Sequence, residues 1–106
     1  METPLEVDVT TAAGQLRAGA LLLDVREPHE VAICAIAGSR LIPMQQIPGQ
    51  MDTLPRDQLI LVHCHHGGRS LRVTHFLRAQ GFTQVSNVAG GIDAWAELID
   101  PSLVRY

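Results

Sequence analysis

Ala20–Leu23 and Leu59–Val62 are each apolar at every position. Short continuous runs bounded by turn residues mark strands buried on both faces, the signature of a covered parallel sheet. Leu5, Val7 and Val9 instead alternate with Glu6 and Asp8, which predicts a half-exposed edge strand with a period of two. Thr10 or Thr11 then caps a short helix that runs through Leu16 to about Ala18 and stops at Gly19, a residue suited to a left-handed C′ position. Residues 28–37 suit a short helical turn and loop, and Leu41-Ile42 a brief strand stopped by Pro43. Pro43, Pro48 and Pro55 keep anything helical after it short. Beyond the second apolar run, Val73, Phe76 and Leu77 share one helical face, with Gly68 or Ser70 starting that helix and Gly81 ending it. Gln84–Val88 is a last short strand. Gly90-Gly91 opens a helix with Ile92, Trp95, Ala96 and Ile99 at helical spacing, closed by Asp100-Pro101. Strands alternating with helices predict a single α/β domain over residues 1–106, with a central, mainly parallel sheet of about five strands and helices on both faces.

Composition narrows the function. The 106 residues carry a net charge of -3, no basic run or interleaved aromatic stripe is present, and aromatic residues make up only 4%, so nucleic-acid binding is not expected. No apolar run approaches membrane-spanning length, and the first residues lack a basic and apolar leader, so the expectation is a cytoplasmic protein that binds neither nucleic acid nor membrane. All eight basic residues are arginine, which removes Schiff-base lysine chemistry and P-loop phosphate binding. Two cysteines, Cys34 and Cys64, do not form a secreted disulfide framework.

The chemistry concentrates where the second apolar run ends, in His63-Cys64-His65-His66-Gly67-Gly68-Arg69-Ser70. A loop feeding a helix N-terminus turns main-chain N–H groups inward and adds the positive end of the helix dipole, so it holds an anion. A thiolate is such an anion, and in this setting its pKa falls below the usual ~8.5. Gly67 and Gly68 let the loop curl through positive φ, and Arg69 is expected to supply a cation. In open parallel sheets ligands sit at the carboxyl ends of strands, where Asp24–Glu30 also fall. His-Cys, a glycine loop and an arginine also build cysteine phosphatases and arsenate reductases. Those place about five residues between Cys and Arg to enclose a phosphate, whereas four separate Cys64 from Arg69. Adjacent strand-end residues point to opposite sides, so His63, Cys64, His65 and His66 are not expected to close a metal site. His65 and His66 are expected to face solvent at the mouth, and Cys34 and Trp95 to fill the core.

Asp24-Val25-Arg26-Glu27 with Glu30, Gly38 with Ile42-Pro43, the stretch from His63 to Ser70, and Asn87-Val88-Ala89-Gly90-Gly91-Ile92 with Trp95 resemble, in this order, the rhodanese-like single-domain sulfurtransferases. The resemblance spans roughly residues 5–99 and implies a sheet between helices and a cysteine that becomes a persulfide. Carried onto this chain, Cys64 accepts the sulfur. His65, His66, Gly67, Gly68, Arg69 and Ser70 bind the persulfide and the donor's oxyanion, with Arg69 as the fixed charge, while Asp24 and Arg26 brace the loop and the neighbouring strand ends. The implied substrates are a small anionic sulfur donor such as thiosulfate and a thiol, cyanide or protein acceptor, with no cofactor and no metal. A regulatory or persulfide-carrier module serving one partner protein is the alternative. Cys34-Ala35-Ile36-Ala37-Gly38-Ser39 stands where the family usually carries Gly-His-Ile-Pro-Gly-Ala, which concerns the packing of that loop rather than the nucleophile.

Overall fold

The apolar runs form the middle of a five-stranded sheet in a computed structural model that describes residues 2–106. The strands are β1 (Glu6–Val7), β2 (Leu21–Asp24), β3 (Arg40–Leu41), β4 (Ile60–His63) and β5 (Val85–Val88). They lie in the order β1-β5-β4-β2-β3, and every pairing is parallel. Parallel neighbours require crossovers, supplied by the helices α1 (Val9–Arg17), α2 (Pro28–Ile33), α3 (Ile47–Gln50), α4 (Gly68–Ala79) and α5 (Gly91–Leu98), with single 3-10 turns at Met44–Gln46 and Met51–Thr53.

The strand period of two divides the core. Leu22, Leu61 and Val88 point to one face and pack with Ala12 and Ala13 of α1 and Ile92 and Trp95 of α5. Leu23, Ile60, Val62 and Val85 point to the other, against Ile47 of α3 and Val73 and Leu77 of α4. Helices therefore cover both faces, and residues such as Leu22, Leu23 and Ile60 are excluded from water on either side. Cys34 and Trp95 lie in the core as expected. The loop from Cys34 to Ser39 is well packed: Ile36 is buried, Gly38 turns the chain at φ +84°, and the Ser39 amide closes on the Ile36 carbonyl at 3.1 Å.

The N-terminal expectation is corrected. Asp8, not Thr10 or Thr11, caps α1, its carboxylate accepting from the Thr11 amide at 2.8 Å. An aspartate three residues before an available N–H meets an orphan donor of the first turn, so Val9 leaves the alternating strand pattern and becomes helical. Gly19 ends the helix region at φ +108°, as its place predicts.

Candidate active site

Cys64 is the first residue after β4, and its sulfur lies at the N-terminus of α4. The Gly67 amide donates to Sγ at 3.1 Å, the Ser70 amide at 3.4 Å and the Ser70 hydroxyl at 3.3 Å. The loop is bent this way by Gly67, whose φ of +116° is open to glycine and costly for other residues. Gly68, expected to share that role, is instead the first helical residue.

The opposite side of the loop is held by a second helix. The first amides of α5 meet the loop's carbonyls: Ile92 N–H donates to Cys64 O at 2.9 Å and Asp93 N–H to His65 O at 3.1 Å. These are the donors a helix start leaves unpaired. These bonds anchor the first two peptide units of the loop on α5, and the amides that reach the sulfur come from further along it, at Gly67 and Ser70. Gly91 permits the approach. A Cβ there would lie 2.6 Å from His65 O and closer still to Cys64 O, and its φ is +57°. Asn87 of β5 adds a third brace, donating to Gly67 O at 3.3 Å and to Glu6 at 2.8 Å. Gly91 and Asn87 appear in the sequence motifs but carry no role there, because their contacts join segments twenty or more residues apart.

Burial pushes the Cys64 thiol up, and the Ser70 hydroxyl together with the amides of Ser70, Gly67 and Arg69 outweighs it, leaving the thiol more acidic than usual. The one Ser70 hydroxyl proton can serve either Cys64 Sγ or Gly67 O at 3.2 Å, so ionisation of the sulfur recruits it. Ser70→Ala should raise the thiol pKa and slow thiolate-dependent reaction roughly three- to tenfold near pH 6, with less effect in alkali. A pH–rate profile checks this, and an unmoved acid limb would remove the hydroxyl from the account.

Cys64 is only 1% exposed, yet it forms part of the lining of an open pocket of about 370 Å³ with His65, His66, Gly68, Arg69 and Arg72. The sulfur is thus a recessed floor.

Arg69 divides its expected part. Its guanidinium makes a two-pronged pair with Glu30 of α2 at 2.7 and 2.8 Å, which compensates most of its charge; it still attracts the Cys64 sulfur electrostatically, and its main-chain amide also favours the thiolate. The Arg69 hydrogen bonds hold the Glu30 carboxyl down to about 2. His65 also departs from simple exposure. Its ring is half-buried and stacks on Tyr106 at 3.8 Å and on His66 at 3.9 Å, and burial keeps it less basic than an ordinary histidine, so it is neutral near pH 7. His66 is exposed as expected. Tyr106 carries no signal in sequence, since its partners are brought to it only by folding.

Asp24 and Arg26 form a buried ion pair at 2.7 Å. Arg26 reaches the Cys34 carbonyl at 2.9 Å and the Tyr106 hydroxyl at 3.0 Å, and that hydroxyl donates to Glu30 at 3.0 Å. The expected bracing of the loop is therefore indirect, running from Asp24 and Arg26 through Tyr106 and Glu30 to Arg69. His63, fully buried beneath this network, approaches Asp24 at 3.8 Å and Ser39 Oγ at 3.4 Å.

Burial, only partly offset by Asp24, pushes His63 down to about 4. The unfolded chain binds this proton below about 6.5 and the folded one only below about 4, so stability is complete above the first value and falls as acid is added across the window. The loss should reach about 3 kcal/mol by its lower end, and urea midpoints measured against pH should show a flatter acid limb in His63→Gln.

Among the described residues, His65, His66 and Asp93 place one possible ligand atom each within 4.8 Å of one another. The Asp93 oxygens are already engaged by Arg105 at 3.1 Å each, and the His65 and His66 rings stack on one another at 3.9 Å with 29° between their planes, so all three side chains are held by contacts of their own.

A family model described as the rhodanese-like domain matches residues 8–98. A sulfurtransferase from Allochromatium vinosum is 40% identical over 76 residues, which span 72% of this chain and 71% of that protein. The rhodanese-like/PpiC domain-containing protein 12, chloroplastic, of Arabidopsis thaliana is 38% identical over 91 residues, and the match covers 82% of this chain but 30% of the longer relative. The crystal structure of a rhodanese-related protein from Thermoplasma volcanium superposes with a TM-score of 0.81 at 32% identity, covering 92% of each chain.

Proposed function

The chain belongs to the rhodanese-like sulfurtransferase family, and we propose that it carries a sulfane sulfur as a persulfide on Cys64, working as one domain without a metal or cofactor. The single observation that carries this is the ring of donors around a recessed thiol, with Gly67 N, Ser70 N and Ser70 Oγ all aimed at one sulfur. The Cys64 thiolate attacks the outer sulfur of thiosulfate. A bond forms between the two sulfurs, the sulfur–sulfur bond of the donor breaks, and its electron pair leaves with sulfite. The terminal sulfur of the resulting Cys64 persulfide carries the negative charge, which the same N–H groups stabilise as an oxyanion hole would. A thiol, cyanide or protein acceptor then removes that sulfur, so the two half-reactions give ping-pong kinetics.

Thiosulfate as donor and the cytoplasm as location are parts of the same proposal. Two free cysteines suit a reducing compartment, and no helix among the described residues is long and apolar enough to cross a membrane. A second reading, a persulfide carrier for one partner protein, is favoured by Arg69 being paired with Glu30, which weakens the mouth's hold on a free anion. Intact-mass measurement after exposure to thiosulfate, and separately to a cysteine-desulfurase-type donor, tests both. One added sulfur from thiosulfate supports the free enzyme, one from the desulfurase alone supports the carrier, and none from either overturns the persulfide.

A further inference from the structure

The active-site pocket adjoins a second opening of about 190 Å³, and Arg72 lines both. The second opening is otherwise apolar, formed by Met44, Ile47, Pro48, Val73 and Phe76. Arg69, Arg72 and Phe76 follow one another at i, i+3 and i+7 along α4, so they form a stripe that leaves the sulfur loop and ends on this shelf. With Arg69 held by Glu30, Arg72 is the permanent cation of the mouth that has no carboxylate partner among the described residues. An acidic side chain lines neither opening.

We propose that Arg72 and the apolar shelf form the recognition subsite for the sulfur acceptor, and that the acceptor class is a small organic thiol carrying a carboxylate and an apolar arm, the chemistry of an N-acylated cysteine. This rests on the persulfide proposed above and adds which thiol collects its sulfur. The acceptor's carboxylate meets Arg72 at the boundary of the two openings, its arm lies on Met44 and Phe76, and its thiolate reaches down to Cys64. The thiolate attacks the terminal sulfur of the persulfide. The bond from that sulfur to Cys64 breaks, its electron pair returns to Cys64 as thiolate, and the acceptor leaves as its own persulfide. No oxidant or reductant is consumed.

Sulfur removal from preloaded protein is compared, per thiolate, for N-hexanoylcysteine, N-hexanoylcysteine amide and N-acetylcysteine. The hexanoyl acid should react roughly ten times faster than the acetyl acid, because the longer arm buries apolar surface on the shelf. It should exceed its own amide by about two- to fivefold, the range of an exposed ion pair, and the advantage should shrink in high salt. In Arg72→Gln the acid-to-amide ratio should fall to about one while the hexanoyl-to-acetyl ratio persists. Equal rates for the two chain lengths, or an acid preference that survives Arg72→Gln, overturns the subsite. A readout free of sulfur chemistry is the binding of N-hexanoylserine, the oxygen isostere, to protein not loaded with sulfur. Amide NMR shifts at Ile47, Val73 and Phe76 support the subsite even if Cys64 takes up no sulfur. Their absence overturns it even if Cys64 does.

Discussion

Replacing Cys64 by serine should abolish sulfur uptake, with no mass increment from any donor and turnover lowered by on the order of 10⁴-fold or more. The reason is chemical before it is structural. A serine hydroxyl lacks both the polarisable sulfur that forms a persulfide and an accessible anion near neutral pH, and the donors of Gly67 and Ser70 stand 3.1 to 3.4 Å from a sulfur, too far out for a smaller oxygen. Cys34→Ala is the matched control. Cys34 is buried in the core and accepts from Arg26 through its carbonyl, which alanine keeps. It should load one sulfur as the parent does. Sulfur retained by Cys64→Ser, or lost in Cys34→Ala, would move the nucleophile to the other cysteine.

Arg26→Met should be the most damaging single change for stability, costing about 3–5 kcal/mol because it strands the Asp24 carboxylate in the interior. Arg26 is completely buried, binds both Asp24 oxygens and also satisfies the Cys34 carbonyl, so methionine fills much of the volume and none of the polar demand. In a domain of this length the melting temperature should fall by at least about 15 °C. Adding Asp24→Asn should recover on the order of half of the loss, since the charge is gone while an amide oxygen can still accept from the Arg26 main-chain N–H, now at 3.0 Å. A single-variant loss below about 1 kcal/mol would show that the pair is dispensable. The change should also loosen Tyr106 and Glu30, the links through which Arg69 is held.

The expected consequences separate two kinds of bracing around the sulfur. One is main-chain: α4 gives its first N–H groups to Sγ, and α5 gives its own to the carbonyls of Cys64 and His65. The other is ionic, reaching Arg69 from Asp24 by way of Arg26, Tyr106 and Glu30. Changes to the first act on the nucleophile and its acidity. Changes to the second act on stability and on the shape of the mouth.

What could be read from the residues alone was what neighbours in the chain decide for one another. Continuous apolar runs place β2 and β4, glycines mark Gly19 and Gly67 as turning points, and a cysteine between a strand and a helix start is already in an anion-holding position. These are local effects of side-chain volume, backbone freedom and periodicity, and they survive any later packing. Even so, Asp8 displaced the threonines as cap, because several nearby side chains compete for the same N–H groups and a small geometric advantage selects among them.

Only the tertiary structure decided how the charges are spent. Arg69 lies five residues from Cys64 in sequence, yet its guanidinium belongs to Glu30, thirty-nine residues away, and His65 rests on Tyr106. Long side chains reach several ångströms and take the partner that folding brings nearest. A sequence therefore fixes which charge is present near a site, and the packing of distant segments fixes which way it points.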